Sequence, residues 1–367
     1  MSTPILMYHH VNELKDSFTI SPDDFQQQME YLARKNYQTL FLDKLIDSLK
    51  EGKNTKKVAL TFDDGYLDNW VYAYPILKKY NLKATVFAVT SRIKEKSNSY
   101  RPNLEDVWNG KVDKEKLPRI SNHYQSNLRC VRNSEGSDDH ITWEEAKEMS
   151  QSGLIDIQSH SHLHSYCYVS DKIVDYYRGN KWRTGWLTGG DLKLGLPIYE
   201  DKPSLAGRRY FDDRDLRDKL AEYVSRKGRE RFFEKKDWKK ELDGIVDDHR
   251  AGNKLKDSYE TLEKRKERVK KELLLSKDII EKRLNRKCRF IAWPGGAYDD
   301  ELVKWARECG YLGAVTTQPG ANISNTDPMY LKRFEVKKGD LGWFKKRLFI
   351  YSHNLTARFY PKIKGLF

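Results

Sequence analysis

The chain has 367 residues, 38% hydrophobic and 12% aromatic, which suits one large globular domain or two ordinary ones and is ample for a buried core. Lys and Arg outnumber Asp and Glu by 68 to 54, a net charge of +14, and the mean hydropathy of −0.83 points to a long polar excursion within a globular chain. No run approaches the 18 or so apolar residues of a membrane span, no basic region followed by an apolar stretch opens the sequence, and Cys130, Cys167, Cys288 and Cys309 lack Cys-x-x-Cys spacing, so the expected location is cytoplasmic.

In chain order, Ile5 to Val11 reads as a strand with His9 and His10 near its end. Ser21 followed by Pro22 is a helix start, and the helix is expected to run to about Asn36. A strand over 37–42 and a helix over 42–52 follow, then the apolar strand Val58 to Phe62, which ends in Asp63-Asp64-Gly65. A helix over about 66–80, interrupted by Pro75, leads to the strand over 84–89. Strands alternating with helices predict a parallel sheet, covered on both faces or closed into a barrel.

Residues 91–140 lack periodicity and read as a long insertion over the barrel mouth. Thr142-Trp143-Glu144-Glu145 matches a capping box, opening a helix that leads to a strand through Ile155 and Ile157 into His160. The stretch over about 166–252 is highly charged. Tyr259, Leu262, Val269, Leu273, Ile280 and Leu284 then fall at threes, fours and sevens, predicting a helix over about 257–286 with one apolar stripe. Phe290 to Trp293 is a short strand before Pro294-Gly295-Gly296, followed by a helix over about 299–309 and strands over 312–317 and 330–336.

Two of these stretches carry chemistry together. Adjacent strand residues face opposite ways, so Asp63 and Asp64 can divide two duties. His160 and His164, four apart, reach one point if the chain turns helically, and two imidazoles with one carboxylate form a facial metal site that leaves positions open. Asp-Asp-Gly alone is a common turn and His-x-x-x-His alone a common surface pair; together each supplies what the other lacks.

The strand ending in Thr61-Phe62-Asp63-Asp64-Gly65, then His160-Ser161-x-x-His164, then Trp293-Pro294-Gly295-Gly296, resembles the NodB-type polysaccharide deacetylases of carbohydrate esterase family 4. Met7-Tyr8-His9-His10-Val11 and the Trp-Pro-x-Gly form are most similar to the poly-N-acetylglucosamine deacetylase branch. The resemblance implies an α/β fold, a distorted (β/α) barrel of about seven units, here over 1–340 with long insertions at about 91–140 and 166–252. It also implies metal-assisted removal of an N-acetyl group from an amino sugar of a surface polysaccharide, or of its lipid- or nucleotide-linked precursor. Asp64, His160 and His164 would hold one divalent transition metal, with Zn²⁺ the expected ion, and Asp63 would act as base on water. The backbone N–H of Gly295 would face the oxyanion, and Trp293, Pro294 and Gly296 would line the substrate.

Two departures stand out. Trp293 occupies the place near which many members carry an arginine that orients the base, and no late Leu-x-His supplies the acid for the leaving amine. His9 is the expected substitute acid, with a histidine satisfied by backbone as the competing reading. Trp143, Trp182, Trp186 and Trp293 are candidate sugar-stacking rings, with burial in the core as the other reading.

Residues 341–367 form a tail with Lys345, Lys346, Arg347, Arg358, Lys362 and Lys364, no acid, and interleaved aromatics from Trp343 to Phe367. A peripheral contact with a membrane surface and a solvated tail packed on the domain are both open to it. Charge alone is no reason to expect a nucleic-acid partner. A deformylase or another C–N amide hydrolase, and a decayed glycan-binding protein, are the alternative functions.

Overall fold

A computed structural model describes residues 2–51, 56–122, 125–127, 130, 136–179, 187, 192–252, 256–336 and 339–364. Trp182, Trp186 and Phe367 lie outside them. The chain divides into two compact units, one of residues 1–126, 134–163 and 271–367 and the other of residues 127–133 and 164–270.

The first unit is built on seven parallel strands: β1 (Ile5–Tyr8), β2 (Lys57–Phe62), β3 (Ala84–Ala88), β4 (Ile155–Ser159), β5 (Phe290–Ala292), β6 (Gly313–Val315) and β7 (Phe334–Glu335). Hydrogen bonding runs in the order β6-β5-β4-β3-β2-β1-β7, with a short strand, Gln38–Thr39, added beside β2. The two ends of this path meet just before β7. Leu331 donates to Ala314 O at 3.0 Å and accepts from Thr316 N at 2.8 Å, forming a parallel bridge with Val315. The expected (β/α) barrel is therefore present, and its last staves are very short.

Strands buried on both faces need continuous apolar runs, as in Val58-Ala59-Leu60, all 0% exposed. Ile5, Ala59, Phe87, Phe290, Ala292, Val315 and Leu331 belong to one buried cluster. Helices cover the outside: α1 (Pro22–Arg34), α2 (Leu42–Glu51), α3 (Tyr74–Lys79), α4 (Trp143–Gln151), α5 (Leu262–Leu284), α6 (Asp300–Glu308), α7 (Leu341–Ser352) and α8 (Asn354–Lys364). Ser21 caps α1 by accepting from Asp24 N at 3.1 Å, and Thr142 and Glu145 form the expected capping box of α4. Pro75 does not break its helix. It lacks an N–H to donate, and the preceding turn, Asn69–Ala73, widens to a π-helix that runs straight into α3.

The described residues within 91–140 contain more order than expected, including a capped helix over Leu104–Trp108. The apolar stripe of α5 is confirmed at Val269, Leu273 and Ile280, all 0% exposed, but fails at its start, where Tyr259 and Leu262 are 42% and 50% exposed. The reason is local. Ser258–Tyr259 pairs antiparallel with Tyr210–Phe211, so the helix begins about five residues later than its periodicity suggests. In the second unit an antiparallel hairpin, Tyr166–Tyr176 with Pro197–Pro203, accompanies helices over Arg214–Arg226 and Trp238–Gly252. Tyr176, Leu216, Leu220, Val224, Phe232, Leu242 and Val246 form a core there.

Candidate metal centre

Because the staves are parallel, all their C-terminal ends open at one end of the barrel, where side chains are exposed only as each strand gives way to a loop. Asp63 and Asp64 follow β2, Arg92 follows β3, His160 follows β4, Trp293 to Gly296 follow β5, and His9 follows β1.

Asp64 and Gly65 both adopt left-handed backbone, with φ of 69° each. This conformation is accessible to Asp and turns its carboxylate away from that of Asp63. Asp64 Oδ1 lies 3.7 Å from His160 Nε2. His160 Nδ1 is 2.9 Å from the Ala292 carbonyl, which favours the tautomer protonated at Nδ1 and leaves Nε2 as the ligand atom. His164 completes the group: one ligand atom from each of Asp64, His160 and His164 lies within 4.8 Å of the others.

The expected meeting of the two histidines is present, but by a different route. The chain does not turn helically after His160; Ser161 (φ 67°) and His164 (φ 49°) are both left-handed, and Leu163 N donates to Glu272 Oε1 at 3.1 Å. The donor set fits a divalent metal. A 3.7 Å gap is too long for a hydrogen bond but matches the roughly 3.4 Å that separates two ligands placed about 2.1 Å from one tetrahedral ion.

Asp63 is 2% exposed and faces a guanidinium that sequence reading did not identify. Arg333 Nη1 and Nη2 each lie 2.7 Å from one of its carboxylate oxygens, while Nη1 also donates to Thr61 Oγ1 (3.1 Å) and Nε to Thr316 O (2.9 Å). Burial pushes the Asp63 carboxyl up, but Arg333, helped by His160 and His9, outweighs it and holds the carboxyl below its usual range. The arginine missing near Trp293 thus has a counterpart two residues before Glu335, on the segment that closes the barrel. The available signal was alternation: Leu331, Arg333 and Glu335 share a face of a strand, and Leu331 belongs to the core. Arg92 is a second unanticipated cation, 2% exposed, with Nη1 3.9 Å from Asp64 Oδ1.

His9 interrupts the predicted 5–11 strand, is partly exposed, and packs against Phe18 with ring centroids 5.4 Å apart. Burial lowers its pKa, opposed by the nearby charges of Asp63, Asp64 and Glu335, with Arg333 adding to the lowering. His10 turns the other way, its Nδ1 2.7 Å from Asp68 and its ring stacked on Tyr66. His162 Nδ1 lies 2.9 Å from Thr90 Oγ1.

Trp293 is 1% exposed and Trp143 5%, so neither offers a face to a sugar; the sugar-stacking expectation is corrected for both, and burial, the other reading, holds. Pro294 is buried as well, whereas Gly295 is exposed and Gly296 partly so. Gly296 is required by shape: with φ of 70°, a Cβ there would come within 2.2 Å of Thr317 Oγ1.

The polysaccharide deacetylase family profile matches residues 50–182 and 234–314, more than half of the chain. Among similar proteins, YxkH of Bacillus subtilis is 37% identical over 106 residues, 28% of this chain and 38% of that protein. The poly-beta-1,6-N-acetyl-D-glucosamine N-deacetylase of Staphylococcus aureus is 33% identical over 96 residues, 25% of this chain and 32% of that protein. The chain thus matches only about a third of the length of each of these relatives, 38% and 32%. In fold, the de-N-acetylase of Aggregatibacter actinomycetemcomitans superposes with a TM-score of 0.57 at 20% identity, covering 95% of this chain and all of that one (100%). With the profile match and the barrel carrying its Asp-Asp and His-x-x-x-His residues at one mouth, this chain belongs to the polysaccharide deacetylase family.

Proposed function

We propose that this protein is a metal-dependent hydrolase that removes an N-acetyl group from an amino sugar of a surface polysaccharide or of its lipid- or nucleotide-linked precursor. The observation that carries this reading is a buried carboxylate, Asp63, gripped by Arg333 beside the Asp64, His160 and His164 group. The names of the relatives support the substrate class.

Asp64, His160 and His164 would hold one divalent ion, with zinc suited to their N and O donors. When bound, that ion supplies Lewis acidity toward a carbonyl oxygen and toward water. Asp63, kept ionised by Arg333, accepts the proton of the attacking water. The Gly295 N–H donates to the oxygen on which negative charge develops. As the C–N bond breaks, His9 gives a proton to the departing nitrogen; its charged form is opposed by burial and favoured by Asp63, Asp64 and Glu335. The products are acetate and a free amino sugar.

Structural metals and decayed sites hold ions too, so the test couples metal to product. Zinc-loaded protein is incubated with N-acetylglucosamine oligomers and the released acid identified by chromatography. Acetate in wild type, and none from Asp63→Asn carrying equal metal, is the expected result. Formate release from an N-formyl sugar in place of acetate would move the assignment to a deformylase. Metal without any acid released would favour a glycan-binding role.

A further inference from the structure

The surface furthest from any account given so far is the helix pair α7 and α8. Five large apolar side chains among the described residues are more than 55% exposed, namely Tyr100, Leu312, Phe349, Leu355 and Phe359; three of them fall within eleven residues of this pair, at 61%, 70% and 57%. Single exposed apolar residues need no explanation, but a cluster does.

The cluster is arranged with charge. In α7 the exposed positions Lys345, whose Nζ also lies 5.0 Å from the Tyr31 ring centroid, Lys346 and Phe349 lie three and four apart on one face, and in α8 Leu355, Arg358 and Phe359 do the same. No Asp or Glu occurs between 341 and 367. Arg347 is not part of this display. Its guanidinium lies 5.2 Å from the Trp343 ring and 4.5 Å from that of Tyr360, so it ties the two helices together. The inner sides of both helices are accounted for as well: Phe344, Leu348 and Ala357 are at most 1% exposed.

We propose that this face docks on an anionic phospholipid bilayer, with Phe349, Leu355 and Phe359 entering the headgroup boundary and Lys345, Lys346 and Arg358 meeting lipid phosphates. Aromatic and aliphatic side chains alternating with cations and free of acids are complementary to that surface, which is apolar just beneath a negative layer. α7 runs along the side of the barrel, from the mouth end after β7 to the opposite end. Ser2 N donates to Ser352 O at 3.1 Å, so α7 ends beside the start of β1, at the barrel end opposite the catalytic mouth. This docking stands on the surface alone and survives or fails independently of the hydrolase assignment.

The test is co-sedimentation of the full chain with vesicles of phosphatidylcholine, with and without phosphatidylglycerol. Wild type is expected to pellet with the anionic vesicles only, and to be released as salt rises to about 0.5 M. Phe349→Ser, Leu355→Ser and Phe359→Ser combined should lower the partition coefficient by about a hundredfold or more, since each side chain loses burial worth roughly a factor of ten. Lys345→Gln, Lys346→Gln and Arg358→Gln combined should abolish the preference for anionic vesicles. All six side chains are exposed, and unchanged melting of both variants establishes that the fold is kept. Wild type remaining in the supernatant at low salt, equal pelleting with neutral vesicles, equal pelleting of the serine variant, or binding to nucleic acid in place of vesicles would each overturn the proposal.

Discussion

Arg333 reaches Asp63 across 270 residues of sequence and grips both of its oxygens at 2.7 Å, with the guanidinium 0% exposed. Removing one partner of such a pair leaves the other buried and uncompensated, which costs about 3–5 kcal/mol. Arg333→Met is expected to lower stability by that order in a denaturant titration. It also frees the upward effect of burial on Asp63, so the acid limb of kcat/KM moves to higher pH; a limb unchanged in position would sink the role assigned to Arg333.

Asp63 and Asp64 are neighbours with separable jobs, and the separation is measurable. Asp63→Asn should retain about one metal ion per chain after dialysis while acetate release falls by at least about a thousandfold. Asp64→Ala and His160→Ala should lose the metal itself, as read by elemental mass spectrometry. Equal metal loss in all three variants would mean that Asp63 is a ligand.

His9→Gln discriminates proton donation from packing. An amine is a poor leaving group and needs the proton, whereas a nitrophenolate does not. Hydrolysis of an N-acetyl sugar should fall by about a hundredfold or more, with hydrolysis of an aryl acetate nearly unchanged. A uniform loss on both substrates would assign His9 a structural role beside Phe18.

Asp156 offers a stability test remote from the mouth. Burial pushes its carboxyl up from 3.8 to about 6, while Gln158 Nε2 lies 3.0 Å from each of its oxygens. The folded state then binds more protons than the unfolded state between these values, so this group's contribution to stability falls as pH rises from about 4 to 6 and stays low above it. Asp156→Asn should therefore melt higher than wild type at pH 7, by up to about 3 kcal/mol, with the difference shrinking toward pH 4. A difference independent of pH would contradict the raised pKa.

The alternating elements, a parallel sheet and the carboxylate and histidine motifs were legible because each is a local pattern: an apolar run, a cap, a short spacing; closure of that sheet into a barrel was implied only by the family resemblance. What escaped was non-local. Nothing near Arg333 announces that it will meet Asp63, and only its phase relative to Leu331 marks it as inward-facing. The helical turn expected between His160 and His164 failed because Ser161 and His164 take left-handed backbone, which spacing alone does not encode. The sugar-stacking roles offered to Trp143 and Trp293 failed because ring size favours the core more strongly than the site.

The closing bridge at Leu331 has a consequence in time. During synthesis the carboxylates and both histidines emerge before the guanidinium for Asp63, which arrives 270 residues after it on the same few residues that seal the ring. A nascent barrel lacks both its last stave and the cation that faces Asp63 until that segment docks. Contacts this distant in sequence form slowly, so recovery of hydrolysis on refolding should trail the recovery of helix signal.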